Sequence, residues 1–283
     1  MIVVMKPHAP DAAIEAVISF LVSAGFDVHR SSGHERTILG VVGNVTGDDV
    51  GVISELEGVT EVVRVSEPYR LAARSAIGAT SVVSGKFGSI GGVRPWIAVE
   101  PVSGNDRSST ATFLQGPSLV DRGFDAAVAR GTGPTEAVGG LVRLSLSAAS
   151  DEGAHFVERV SGSRVEAWMQ AAETWLERRS DVVLLEAGDE QPNGTRSLDV
   201  VALARARERT HLPIVVDVPR IAGMGRRCAA VACAAIGAGA DGVILRVRIG
   251  RDDDQPRVPA SLTLSDAAAL AERIRTLAAV LRA

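Results

Sequence analysis

Apolar and polar positions alternate along this chain with two periods, and the first 70 residues carry both. Residues 2–6 (Ile-Val-Val-Met-Lys) read as a strand. Asp11 then opens a helix whose apolar positions Ile14, Val17, Ile18, Leu21 and Val22 keep helical spacing, with Gly25 as the stop. Strands follow at about 26–31 and 36–42 around a turn at Ser32-Gly33. A second helix covers about 47–57, and a last strand runs from Thr60 to Val65. The order βαββαβ predicts a ferredoxin-like domain, placed at residues 1–72.

From Trp96 onward apolar strands alternate with amphipathic helices, the pattern of a parallel α/β layout. Strands are predicted at Trp96–Glu100, Thr110–Leu114, Leu141–Leu146, Phe156–Arg159, Val182–Glu186, Ile214–Asp217 and Val243–Val247. Leu270, Ile274, Leu277 and Leu281 give the closing helix an apolar stripe. Residues 96–283 therefore predict a TIM-type barrel, and residues 73–95 its linker and lead-in. That span is shorter than the roughly 200 residues that eight βα units need. Either one or two units are abbreviated or the barrel is incomplete.

Composition narrows the function classes. The chain is 46% hydrophobic and 23% charged, an ordinary globular balance, and its net charge of −4 offers no basic field for nucleic acid. No apolar run reaches membrane-spanning length, and the Met1-Ile-Val-Val start lacks a signal-peptide n-region, so a cytoplasmic location is expected. Cys228 and Cys233 lie five apart in an Ala-rich helix, which reads as core packing rather than a disulfide or a metal site. Of the 30 basic residues only Lys6 and Lys86 are lysines. A Schiff-base aldolase or a pyridoxal phosphate enzyme needs a lysine in its site, so neither fits a barrel that has none.

Several stretches resemble a known family. Met1-Ile-Val-Val-Met-Lys-Pro-His8, Glu35-Arg-Thr-Ile-Leu-Gly-Val41 and Val62-Val-Arg64 before Pro68-Tyr69 are similar to the regulatory domain of one subgroup of metal-dependent DAHP synthases (3-deoxy-7-phosphoheptulonate synthases). The run Thr210-His-Leu-Pro-Ile-Val-Val-Asp217-Val-Pro-Arg220 resembles strand seven of the same family, and residues 80–94 resemble its barrel-bottom hairpin. The resemblance implies an aromatic amino acid effector site, with His29 and Ser31 at matching positions, and a homo-oligomer, dimer or tetramer. The alternative for His29 is an exposed histidine with no role.

Where the resemblance places catalytic groups, this chain departs from it. The cysteine ligand after strand one becomes Val102 in Glu100-Pro-Val-Ser103, and the histidine of strand seven becomes Arg220. The glutamate of strand eight becomes Arg246 in Arg246-Val-Arg248, and the aspartate of the last loop becomes Arg257. A phosphate-binding Lys-Arg-Gly reads Glu158-Arg159-Val160, Glu-Arg-Gly reads Glu186-Ala-Gly188, and the Lys-Pro-Arg-Thr-Ser substrate loop is absent. A guanidinium has no lone pair to give a cation, so no metal and no cofactor are expected. The run Asp252-Asp-Asp254 reads as a solvated charge cluster. His8, His29 and His34 lie in the small domain, and His155 and His211 precede strands, away from the catalytic end.

Two readings compete. In the first, Arg159, Arg220, Arg246, Arg248 and Arg257, with Ser103, line a pocket for a polyanionic small molecule. Glu186, Asp217 and Glu158 would then move protons in a metal-independent lyase or isomerase reaction on a dicarboxylate related to the shikimate and chorismate pathway. For each carboxylate the alternative is a structural Arg–carboxylate pair. In the second reading the chain is a catalytically silent paralogue with a regulatory or assembly role. Neither reading calls for nucleic acid or membrane.

Overall fold

Every second residue of the first strand has to be apolar if one face of a small sheet is to be covered by helices, and that is what is found. In this computed structural model, which describes residues 1–33, 36–42, 47–63, 69–103, 119–130, 141, 143–146, 153–249 and 258–282, the N-terminal elements are β1 (Ile2–Met5), α1 (Asp11–Ser23), β2 (Asp27–Ser32), β3 (Thr37–Val42), α2 (Gly47–Ser54) and β4 (Val59–Val63). The sheet order is β2-β3-β1-β4 with antiparallel neighbours, a ferredoxin-like domain. Val3, Met5, Leu39 and Val41 bury one face against Ile14, Val17 and Leu21 of α1 and Ile53 of α2. Gly25 takes a φ of +86°, a left-handed conformation that a side chain would strain, and so turns the chain from α1 into β2.

The chain divides into two compact units, Met1–Pro68 and Tyr69–Ala283. Residues 69–72, placed above with the small domain, pack in the second unit because Tyr69 and Ala72 are buried in its core. The Glu173 carboxylate also accepts from the backbone N–H groups of Arg70, Leu71 and Ala72 at 2.8 Å.

The second unit begins with α3 (Arg74–Ile77) and the hairpin β5 (Val83–Gly85) and β6 (Gly88–Ile90). Its main strands are β7 (Trp96–Ser103), β8 (Ala126–Ala129), β9 (Arg143–Ser145), β10 (His155–Glu158), β11 (Val182–Glu186), β14 (Ile214–Asp217) and β15 (Gly242–Ile249). The short strands β12 (Asp189–Glu190) and β13 (Arg196–Ser197) pair with each other, and β16 (Ser261–Leu262) pairs with β15. The parallel order β10-β11-β14-β15-β7-β8-β9 is a TIM-type sheet whose edge strands β9 and β10 show no pairing among the described residues. Helices α4 (Val165–Leu176), α5 (Val200–Arg209), α6 (Val218–Ala222), α7 (Cys228–Gly237) and α8 (Leu264–Leu281) join or flank these strands.

Because both faces of such a sheet are covered, its strands are apolar throughout, and alternate residues go to different layers. Ile97, Val99, Leu184, Ile214 and Val216 join the outer layer under the helices. Trp96, Ala98, Val183, Leu185, Val215 and Ile244 join the inner one. The hairpin sends Val83, Phe87 and Ile90 into that inner layer, and Trp96 Nε1 donates to Phe87 O at 2.8 Å. The hairpin thus plugs the end of the sheet where the strands begin.

One strand is absent from the expectations, and one expected strand is not described. β8 was not among the predicted strands, because Ala-Ala-Val-Ala carries little hydrophobic signal, although Ala126 and Val128 are buried in the inner layer. Thr110–Leu114 lies outside the described residues. Cys228 and Cys233 are free, and burial pushes the Cys228 thiol up to about 11, as a core residue requires. Among the described residues no helix is long and apolar enough to cross a membrane.

Candidate functional site

The strand alternation decides which charged residues can meet. Counting by twos from the inner-layer residues Ala98, Val128, Val215 and Ile244 leads to Glu100, Arg130, Asp217 and Arg246 at the C-terminal strand ends, all on the inner face. Counting from the outer-layer residues Val157 and Leu184 leads instead to Arg159 and Glu186. Charged residues that look equivalent in sequence therefore fall into separate groups.

The inner group spans four adjacent strands. Arg246 on β15 stands in register with Glu100 on β7, and its Nε and Nη2 lie 3.0 and 2.9 Å from Glu100 Oε2. Arg130, just past β8, donates from Nε to Glu100 Oε1 at 2.8 Å and from Nη2 to Asp217 Oδ1 at 2.8 Å. Asp217 also caps α6, accepting from the Arg220 N–H at 3.4 Å, and Gly223 in the left-handed region ends that short helix. Glu100 is 8% exposed and Asp217 0%. Burial raises the Asp217 pKa, with the Arg130 charge opposing that rise. Burial likewise works against the charge on Arg130, but Asp217 and Glu100 outweigh it and raise its pKa.

The outer group is sealed more tightly. Arg159, 3% exposed, donates to Glu186 Oε2 at 2.5 Å and Oε1 at 3.0 Å, and it also lies 3.0 Å from Asp189 Oδ1. Glu186 accepts in addition from the Gly188 N–H at 2.6 Å. Burial opposes the Arg159 charge, and the two carboxylates outweigh it, raising the pKa. At the rim, Arg220 Nη1 donates to Glu158 Oε1 at 2.6 Å. Arg248 bonds Ser261 through its carbonyl at 3.3 Å and its hydroxyl at 3.2 Å.

The predicted site residues are thus only partly brought together. Arg246 and Asp217 share one network through Glu100 and Arg130, while Arg159 with Glu186 and Arg248 with Ser261 stand apart. Arg220 touches Asp217 by its backbone N–H, but its guanidinium goes to Glu158. Arg159 lines a cavity of about 250 Å³ with Arg164, Asp199 and Arg205. Arg248 lines another of about 1120 Å³ with Arg226, Pro259 and Asp266. Ser103 ends β7, but its side chain, like all of Arg257, lies outside the described residues. His29 and Ser31 are exposed on edge strand β2, opposite Gly40 and Ile38 of β3, on the sheet face that the helices leave uncovered.

Arg130 was missed from the sequence. Its signal was the period-two count from Val128, which becomes visible only once β8 is recognised as a strand. The positions at which the resemblance expects cation ligands do not fit a divalent ion. Val102 is apolar, and the guanidiniums of Arg220 and Arg246 hold carboxylates. Among the described residues no three of His, Cys, Asp and Glu converge in a way that could hold a metal.

Residues 1–67 match the family described as DAHP synthase ferredoxin-like domain. Phospho-2-dehydro-3-deoxyheptonate aldolase of Thermotoga maritima is 38% identical over 78 residues, 26% of this chain and 22% of that protein. The matched stretch is therefore about a fifth of that relative's length. The crystal structure of the DAHP synthase of Thermotoga maritima superposes on 99% of this chain and 97% of its own, with a TM-score of 0.66 and 22% identity. A truncated form of the Thermotoga maritima enzyme covers 76% of this chain and 98% of its own, with a TM-score of 0.60 and 18% identity. At those identities the superpositions show a shared fold.

Proposed function

We propose, from a DAHP-synthase-type ferredoxin-like domain joined to a barrel of DAHP synthase fold, that this chain is a catalytically silent paralogue. It makes no DAHP and acts as a regulatory or assembly subunit in aromatic biosynthesis, in the cytoplasm. The observation that carries the reading is the pairing of the inner group. Glu100 and Asp217 are held by Arg130, and Glu100 by Arg246 as well, at 2.8–3.0 Å. A substrate dianion entering there has to displace a buried carboxylate from its guanidinium, and that exchange gains little. Open chemistry remains on the uncovered sheet face of the N-terminal domain, where His29 and Ser31 offer polar groups to an aromatic amino acid.

The test is calorimetric titration with phenylalanine, tyrosine and tryptophan, with light scattering in parallel. One of the three is expected to bind, His29→Ala to weaken it about tenfold or more, and the protein to be a dimer or tetramer whose size or exchange the ligand alters. No binding by any of them, in a strict monomer, removes this reading.

One observation favours the enzyme reading, now as the second. Asp217 is fully buried at a strand end with a raised pKa, a setting that suits proton transfer. On that reading Asp217 serves a metal-independent elimination or rearrangement of a polyanionic dicarboxylate, of the kind represented by chorismate or prephenate, in specialised metabolism. A dianion that raises the melting temperature, and whose effect Arg246→Ala removes, would move the balance to it.

A further inference from the structure

Four charged side chains from four neighbouring strands meet at the strand ends in a fixed order. Asp217 ends β14, Arg246 lies on β15, Glu100 on β7 and Arg130 just past β8. Carboxylate and guanidinium alternate along that order, so each carboxylate has a cation beside it. Glu100 and Asp217 both accept from the same Arg130 Nη2, at 3.2 and 2.8 Å, which holds those oxygens no more than about 6 Å apart. Two buried carboxylates at that spacing repel one another unless a cation lies between them. The usual solution is a divalent ion with water completing its shell.

We infer that the Arg130 and Arg246 guanidiniums are the resident counter-cation of this barrel mouth. They fill the position a divalent ion would otherwise take and clasp β14, β15, β7 and β8 together at their C-terminal ends. Each guanidinium is used along its edge. Arg246 spends Nε and Nη2 on Glu100 and Nη1 on the Pro259 carbonyl. Arg130 spends Nε on Glu100 and shares Nη2 between Glu100 and Asp217. The clasp spans β14 to β8, between the edge strands β9 and β10, whose mutual pairing is absent among the described residues. There it supplies a lateral tie that strand hydrogen bonds do not.

This inference rests on the silent-barrel reading but can fail independently of it. Melting of the full chain should be unchanged, within about 1 °C, by millimolar Mn²⁺ or Mg²⁺ and by EDTA. Arg130→Met should lower the melting temperature by about 10 °C, because it leaves Glu100 and Asp217 short of a partner. The variant Arg130→Met/Asp217→Asn, which leaves Glu100 paired with Arg246, should recover at least half of that loss. Arg130→Ala/Arg246→Ala should acquire a Mn²⁺-dependent rise of roughly 5 °C at about 100 times its Kd. If Arg130→Ala/Arg246→Ala does not fold, the measurements on the parent, Arg130→Met and Arg130→Met/Asp217→Asn still decide. Mn²⁺ stabilisation of the parent that Glu100→Gln/Asp217→Asn removes would overturn the inference and leave the silent reading standing. Equal losses in Arg130→Met and Arg130→Met/Asp217→Asn would overturn the clasp. DAHP formation by the parent would instead overturn the silent reading, whatever the melting curves show.

Discussion

In the N-terminal unit the apolar alternation, the element order and the family match agree from end to end. In the barrel unit the buried layers follow the shared fold, and guanidiniums stand against carboxylates at the strand ends. The small domain keeps a helix-covered face and an open one, with His29 and Ser31 on the open side. The barrel keeps its inner and outer apolar layers and its hairpin plug, and places guanidiniums against carboxylates at the mouth. Burial on both faces constrains strand interiors to apolar residues, whereas strand ends at the mouth can carry charge where each charge finds a partner.

The largest effect that bears on this contrast is expected at the outer pair. Arg159→Met leaves Glu186 buried without its guanidinium and should cost about 3–5 kcal/mol, read by urea unfolding. Arg159→Met/Glu186→Gln should regain most of that, since a neutral pair needs no counter-charge. If the two variants are equally unstable, the pair contributes shape rather than charge balance. Next in size is the small domain's core. Leu39→Ala should cost about 2–4 kcal/mol, while Ile38→Ala on the uncovered face should change stability by under about 0.5 kcal/mol. Equal costs would contradict the two-faced sheet.

A pH dependence separates the two ends of the barrel. His155 is 2% exposed, packs against Trp175 with ring centroids 3.9 Å apart and planes tilted by 39°, and has neither ring nitrogen hydrogen-bonded among the described residues. Burial, with the nearby Arg179 charge, lowers its pKa, and Asp181 offsets only part of that. The unfolded imidazole takes up a proton below about pH 6.5 while the folded one stays neutral. Stability should therefore fall as pH drops below about 6.5, by up to roughly 1.4 kcal/mol per pH unit. His155→Phe should flatten that slope between pH 6.5 and 5, and an unchanged slope would assign it to other groups. The smallest effect is expected at the rim, where Glu158→Gln breaks the partly exposed pair with Arg220 and should cost under about 1 kcal/mol.

Much of this architecture was legible in the residues. The βαββαβ order and most barrel strands follow from period-two and helical spacing, because burial of a sheet face leaves that imprint directly, while the hairpin was implied only by the resemblance of residues 80–94. β8 escaped because alanine packs in a tight inner layer without a hydrophobic signature, and Arg130 escaped with it. The arginines at strand ends were visible, but not their partition. Sequence proximity places Glu158 beside Arg159, whereas the pleat sends one to the inner face and its neighbour to the outer one. The counter-charges also come from distant stretches of chain, since Arg130 reaches Asp217 across 87 positions.

The central claim, a barrel mouth neutralised from within and silent in DAHP synthesis, is tested most directly by product analysis. The purified full chain would be incubated with phosphoenolpyruvate, erythrose 4-phosphate and Mn²⁺, beside an active DAHP synthase as control. The account expects no DAHP above background over many hours at micromolar protein. Steady turnover near 1 s⁻¹ or above, as an ordinary enzyme shows, would contradict it.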